Sequence, residues 1–322
     1  MSALLKTLCA RRVGLLLGGR SFSSASTTTV GVVGLGLMGH GIAQVAAEKG
    51  FNVVAVELED KFLAGGMSRI EGSVQKLAAK AVKKGKMSEE DGKSHVASTL
   101  GRITGTTDRG ELGKCDIIVE AVIEDLALKE KLYSDIGKVV SDECVIASNT
   151  SSLPIGKMAG YCGRPAQMCG LHFFNPVQLM QLVEVVRTED TSPAIFDRAY
   201  KFGAALGKTP VECIDTPGFV VNRLLVPYLA SAMLMVERGV ASVPDVDTAM
   251  RLGAGHPMGP IALADYVGLD TCMSILEGWS SEYPEEPSFK TPASLKAKVA
   301  EGKFGRKSGE GFYKWDGDKL AA

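Results

Sequence analysis

The sequence predicts an α/β fold followed by an all-α one. The first part is a Rossmann-like doubly wound sheet with a helical hairpin inserted after strand 2, and the second is an all-helical C-terminal domain. Three observations carry this. A glycine-rich turn, Gly34-Leu35-Gly36-Leu37-Met38-Gly39, joins the Val-rich run VGVVG to a helical pattern ending at Gly50. Short apolar runs then alternate with helical stretches, which argues for a mostly parallel sheet. Beyond Pro217 and Gly218 the pattern is helical only.

The elements follow in order. VGVVG reads as a strand buried on both faces. Gly34 makes the tight turn, Gly36 admits a pyrophosphate to the backbone, and Gly39 lets the following helix pack against the strand. The free N–H groups and positive dipole end of that helix face the phosphates. The second strand, NVVAVE, ends in Glu57, about 20 residues on, where an acid accepts hydrogen bonds from an adenosine ribose. That carboxylate also repels a 2′-phosphate, so NAD is favoured over NADP. From about Asp60 to Leu100 a helical excursion with one Gly-Lys break departs from the minimal pattern. RITGTT, CDIIVEAV, CVIASNT, MCGLHFF and LVEVVRT read as further strands, with the helix LALKEKLYSDIGKVV between the second and third of these. Ligands of such sheets bind beyond the carboxyl ends of the strands, and Glu120, Ser148, Asn149, Ser151 and His172 all fall there.

His172 and Glu184 stand out. A carboxylate inside an apolar strand needs a partner. If the two strands meet as a hairpin around NPVQLMQ, Glu184 hydrogen-bonds one ring nitrogen of His172 and raises the basicity of the other, making a general base. The bland reading is a packed core histidine. His40, in the nucleotide turn, His95, on a charged helix, and His256, in a Gly-Pro loop, have weaker claims.

GLGLMGHGIAQVAA, VIASNTSSL, GLHFFNPVQLMQLVEVV, DTPGFVVNRLLVPYL, LGAGHPMGPIALADYVGLD and KFGRKSGEGFYKW resemble the L-3-hydroxyacyl-CoA dehydrogenase family, in order, from about Val30 to Trp315. The mitochondrial single-function type is the nearest in layout. The resemblance implies oxidation of L-3-hydroxyacyl-CoA to 3-ketoacyl-CoA with hydride transfer to NAD, in fatty-acid β-oxidation. It implies that His172 removes the hydroxyl proton, that Glu184 orients it, that Ser151 and Asn222 hold the substrate oxygen, and that Asn175 supports the geometry. It also implies NAD contacts at Glu57, Glu124, Lys129, Asn149 and Lys307, and coenzyme A contacts at Ser73, Lys80, Asn149 and Ser151. Glu57 stands where the family more often has Asp.

Other readings compete. Ser73 and Lys80 read equally as a solvated helix face, Ser151 as a helix N-cap and Asn222 as a polar contact at a domain seam. A dehydrogenase of a free hydroxy acid, of the gulonate dehydrogenase and lens-crystallin kind, shares the HFFNP layout. 3-Hydroxyisobutyrate dehydrogenases share the glycine turn but use a lysine that has no counterpart here. A non-catalytic NAD-binding protein would have lost part of the His/Glu/Ser/Asn set. The basic stretch from Lys76 to Lys86 favours a phosphate-bearing substrate, hence a CoA thioester.

At 322 residues the chain can hold two cores. A net charge of −1 argues against nucleic acid or an anionic membrane as main partner. No apolar run approaches the roughly 20 residues of a membrane span. Seven dispersed cysteines without a C-x-x-C pair fit a reducing compartment and offer no metal site. Residues 1–29 are Arg- and Ser-rich and free of acids, the composition of a transit peptide to the mitochondrial matrix, with a secretory signal as the competing reading. The expected domains are therefore 30–215, binding NAD, and 216–322, for substrate and dimerisation. A homodimer through the nearly apolar helix FVVNRLLVPYLASAMLMVERG is expected.

Overall fold

A computed structural model describes residues 27–321, so all but the last three residues of the expected transit peptide lie outside the described residues. The described residues divide into two compact units, residues 27–150 with 155–212, and residues 151–154 with 213–321.

The first unit is the expected doubly wound sheet. Its strands are β1 (Thr29–Val33), β2 (Asn52–Val56), β3 (Ile103–Thr106), β4 (Ile117–Glu120), β5 (Val145–Ser148), β6 (Met168–Phe173), β7 (Leu182–Arg187) and β8 (Thr209–Ile214). They run in the order β3-β2-β1-β4-β5-β6-β7-β8. Every pair from β3 to β6 is parallel, and β6–β7 is antiparallel. The order reverses between β1 and β4, the switch point at which such sheets bind ligands. β4 and β5 are buried along their whole length, which is why they read as unbroken apolar runs rather than alternating ones. β8 lies at an edge, where Pro210 removes no needed ladder donor.

Helix α1 (Gly39–Glu48) follows β1 directly. A Cβ on Gly39 would lie 1.7 Å from the Gly34 carbonyl oxygen, so only glycine lets the helix start this close to the turn. The excursion folds as the expected hairpin, α2 (Asp60–Lys83) and α3 (Glu89–Leu100). On α2 Gly66, Ile70, Val74 and Ala78 are buried, one residue per turn, and Leu63 and Met67 pack beside them, so one stripe of the helix docks. The Gly-Lys break falls at Gly85, whose φ of 66° closes α2, and the Ser88 hydroxyl accepts from Asp91 N to start α3. Helices α4 (Leu126–Val139), α5 (Ile155–Cys162) and α6 (Pro193–Ala205) complete the unit. Ser151 lies four residues before α5, outside the N-cap position considered for it. Helix α6 is an addition to the elements expected from the sequence, with Ile195, Ala199 and Phe202 on its buried face.

The second unit contains α7 (Val221–Glu237), α8 (Val243–Gly253), α9 (Pro260–Val267), α10 (Leu269–Glu282) and α11 (Ala293–Ala300). Ser242 caps α8 as expected, accepting from Asp245 N. Leu229, Met233, Ile261, Leu276, Trp279 and Phe289 form its core. To the helices it adds a small antiparallel hairpin, β9 (Trp315–Asp316) with β10 (Lys319–Leu320). Two buried carboxylates fasten the segment before that hairpin. Asp265, on α9, accepts from Phe312 N (3.0 Å), Tyr313 N (2.9 Å) and the Trp315 indole N–H (3.0 Å). Asp247, on α8, accepts from Ile261 N and Ala262 N at the start of α9 and from the Tyr313 hydroxyl. Two glycines of KFGRKSGEGFYKW fit closely around Asp265: a Cβ on Gly311 would lie 2.2 Å from its carboxylate, and one on Gly305 2.2 Å from its backbone carbonyl oxygen.

Candidate active site

At the carboxyl end of β6, antiparallel pairing sets His172 directly opposite Glu184 on β7. Register alone therefore delivers the carboxylate to the imidazole, and Glu184 Oε2 lies 2.6 Å from His172 Nδ1. A carboxylate can only accept, so Nδ1 carries the proton and proton exchange with a substrate falls to Nε2. Both side chains are withdrawn from water, Glu184 completely. The Phe174 ring lies 4.6 Å from the imidazole, centroid to centroid, and narrows its freedom further. Asn175 follows on the exposed turn, where the Asn175–Pro176 peptide is cis.

The glycine turn meets the needs of a dinucleotide. Gly34 has φ 88° and its N–H is bonded to Val56 O, while a Cβ on Gly36 would meet nothing within 4 Å, leaving that face of the turn open. Helix α1 starts with no side-chain cap and no acid in its first turn, so its amide groups and dipole are available to an anion. Glu57 Oε1 accepts from Leu35 N at 2.6 Å, which fixes the acid beside the turn. A cavity of about 310 Å³ adjoins it, lined by Gly34, Gly36, Glu57, Arg69, Arg109 and Ile123 among others. Arg69 also grips the Leu35 carbonyl through Nη2 (2.9 Å). The residues present fit NAD: the turn and helix for its pyrophosphate, the cavity and Glu57 for its adenosine. Neither arginine was found by sequence reasoning, because each lies far along the chain from the turn.

The remaining expected cofactor residues of the first unit converge beyond β4 and β5. Lys129 Nζ is buried and bonded to Glu120 (2.9 Å to each oxygen) and to Glu124 (3.1 Å). Thr150 donates its hydroxyl to Glu124 (2.7 Å), and Asn149 Oδ1 accepts from Phe173 N (2.9 Å), which ties it to the strand that carries His172. Ser73, on α2, accepts from Gln178 in the β6–β7 loop (3.3 Å), and Lys80 lies exposed two turns further along the same helix.

Ser151, Asn222 and Lys307 belong to the second unit. Ser151 opens its short segment 151–154, Asn222 lies in the first turn of α7, and Lys307 pairs with Asp270. Burial alone pushes the Cys169 thiol up to about 12, and burial is also the main cause of the rise to about 12 at Cys115, so neither of these two thiols is a nucleophile. No helix of the described residues is long and apolar enough to cross a membrane.

Comparison with known proteins identifies the family. The sequence model of the 3-hydroxyacyl-CoA dehydrogenase NAD binding domain matches residues 29–216, and that of the family's C-terminal domain matches residues 218–315. The human mitochondrial hydroxyacyl-coenzyme A dehydrogenase is 47% identical over 309 residues, covering 92% of this chain and 97% of its own. A probable 3-hydroxybutyryl-CoA dehydrogenase of Deinococcus radiodurans is 46% identical over 285 residues, covering 88% and 99%. Among solved structures, (S)-3-hydroxybutyryl-CoA dehydrogenase from Ralstonia eutropha superposes with a TM-score of 0.84 at 39% identity, covering 90% of this chain and all of that one.

Proposed function

Because the chain belongs to the 3-hydroxyacyl-CoA dehydrogenase family, we propose that His172 is its general base and Glu184 the group that orients and supports it. The protein is an NAD-dependent dehydrogenase that oxidises L-3-hydroxyacyl-CoA to 3-ketoacyl-CoA in fatty-acid β-oxidation. The observation that carries the catalytic assignment is the 2.6 Å contact between two buried groups in strand register. His172 Nε2 takes the proton from the C3 hydroxyl, and Glu184 stabilises the imidazolium that results. Glu57, Glu124, Lys129, Asn149 and Lys307 hold the cofactor in this reading. NAD⁺ held by these residues would supply the acceptor for the C3 hydride. Ser73, Lys80, Asn149 and Ser151 hold the coenzyme A portion, while Ser151 and Asn222 engage the substrate oxygen and Asn175 supports the turn after His172.

Residues 30–215 serve NAD, and residues 216–322 serve substrate and a homodimer. The nearly apolar helix α7, with Leu224 exposed on it, is the feature that supports self-association. The chain is mitochondrial, with the matrix as its destination and residues 1–29 as the address.

The test is NADH oxidation by protein lacking residues 1–29, with acetoacetyl-CoA and free acetoacetate offered separately. Turnover of the thioester alone is expected. Comparable turnover of the free acid would move the protein to the hydroxy-acid branch and leave Ser73 and Lys80 as ordinary surface. Glu57 has its own consequence. Glu57→Ser removes the repulsion toward a 2′-phosphate in a cavity that already holds two guanidinium groups. It is expected to weaken NADH binding about tenfold and to strengthen NADPH binding by a similar factor, both read by coenzyme fluorescence. Unchanged discrimination between the two would show that Glu57 does not face the ribose.

A further inference from the structure

Glu120 ends β4 without any exposed surface, and the chemistry above gives it no task. Four donors collect on its two oxygens. Oε1 accepts from Val122 N (2.8 Å) and Lys129 Nζ (2.9 Å). Oε2 accepts from Lys129 Nζ (2.9 Å), Tyr133 OH (2.7 Å) and Ser148 Oγ (2.7 Å). A carboxylate stripped of water needs such a set. Burial and this neighbouring charge push the Tyr133 hydroxyl well above its usual value, so it stays a donor.

Stability alone does not call for this cluster, because a buried ion pair is seldom better than an apolar pair of the same volume. At the same level of the sheet β1 and β2 carry Val33 and Val56 and the outer strand β3 carries Thr106, while the adjacent strands β4 and β5 carry Glu120 and Ser148 side by side. Those two polar positions are the ones from which the proposed cofactor contacts hang. Lys129 is held by Glu120 directly. Ser148 is the residue before Asn149, whose own N–H bonds the Glu120 carbonyl (2.8 Å). The Ser148 hydroxyl also accepts from Thr150 N (3.2 Å), and Thr150 donates to Glu124.

We infer that Glu120 is a positioning residue for the cofactor: its buried carboxylate sets Lys129 and the Ser148-Asn149-Thr150 turn in the places from which they meet NAD. The inference rests on the assignment of Glu124, Lys129 and Asn149 to NAD. The Glu120 carboxylate accepts from these four donors, and it acts through them.

Removing Glu120 would leave the buried Lys129 ammonium with Glu124 alone, orphan the Tyr133 and Ser148 hydroxyls and endanger folding, so the test uses two milder variants. Ser148→Ala and Tyr133→Phe each delete one hydroxyl donor from Oε2. Only the first lies on the turn that carries Asn149. The NADH dissociation constant, from coenzyme fluorescence, and Tm are measured for both and for the wild type. Ser148→Ala is expected to weaken NADH binding about tenfold, while Tyr133→Phe lowers Tm and leaves NADH binding within about twofold. A fall in Tm for both without any change in NADH binding would make the cluster purely structural and overturn the inference. Equal weakening in both would trace the effect to general loosening and overturn it too. Wild-type protein that fails to bind NADH would overturn the cofactor assignment itself, a result distinct from either of these.

Discussion

Replacing His172 by Gln is expected to lower kcat about 10³-fold, within the range for a lost general base, and to leave NADH affinity within about twofold. Glutamine keeps a polar tip near Glu184 and fills much of the same volume, so the strand pair retains its packing. What it lacks is a nitrogen that can take and return a proton near neutral pH. The measurements are steady-state turnover of acetoacetyl-CoA and a fluorescence titration of NADH with the same preparation. Lost turnover with intact NADH binding supports the base. Lost NADH binding would instead make His172 a residue of the fold. The companion variant Glu184→Gln keeps the site filled but cannot stabilise an imidazolium, so its kcat is expected to fall by about 10²-fold. Full activity in that variant would remove Glu184 from the mechanism while leaving His172 in place.

The second large effect falls on stability. Asp265→Ala leaves Phe312 N–H, Tyr313 N–H and the Trp315 indole N–H without their acceptor, in a part of the second unit where Asp265 has no exposed surface. Each buried orphan donor costs about 1–3 kcal/mol, so a loss of about 4 kcal/mol is expected, measured by chemical denaturation. A loss under about 1 kcal/mol would mean that water reaches the three donors and that the clamp is not needed.

The pH dependence has a definite sign. Burial raises the Asp265 carboxyl above its usual value, although the three donors pull the other way. The folded state therefore holds that proton more tightly than the unfolded chain does. The wild-type advantage over Asp265→Ala is then largest below the unfolded carboxyl pKa of about 4, declines as pH rises through the folded pKa, and is constant above it.

Much of the fold was legible because its signals are short-range. The glycine spacing, the Val-rich strands, Glu57 after the second strand and the polar break at Gly85 are each decided within a few residues, by backbone sterics, burial and turn chemistry. HFFNP with a glutamate twelve residues later indicated the pairing of His172 with Glu184 in the same way, since a hairpin of that length has few registers. The clamp carboxylates were legible in principle as well. Asp247 and Asp265 are acids on the buried faces of α8 and α9, and only the partners they require were hidden.

Tertiary structure alone decided those partners. Glu120 draws its donors from Val122, Lys129, Tyr133 and Ser148, and Asp265 reaches from α9 to residues near 50 positions away. Arg69 and Arg109 reach one cavity from α2 and from the segment after β3. The division that groups residues 151–154 with the second unit leaves no mark on the local pattern. A buried charge states in the sequence that it must be satisfied. Which donors satisfy it depends on strand order and register, and these are settled only when the whole sheet closes around it.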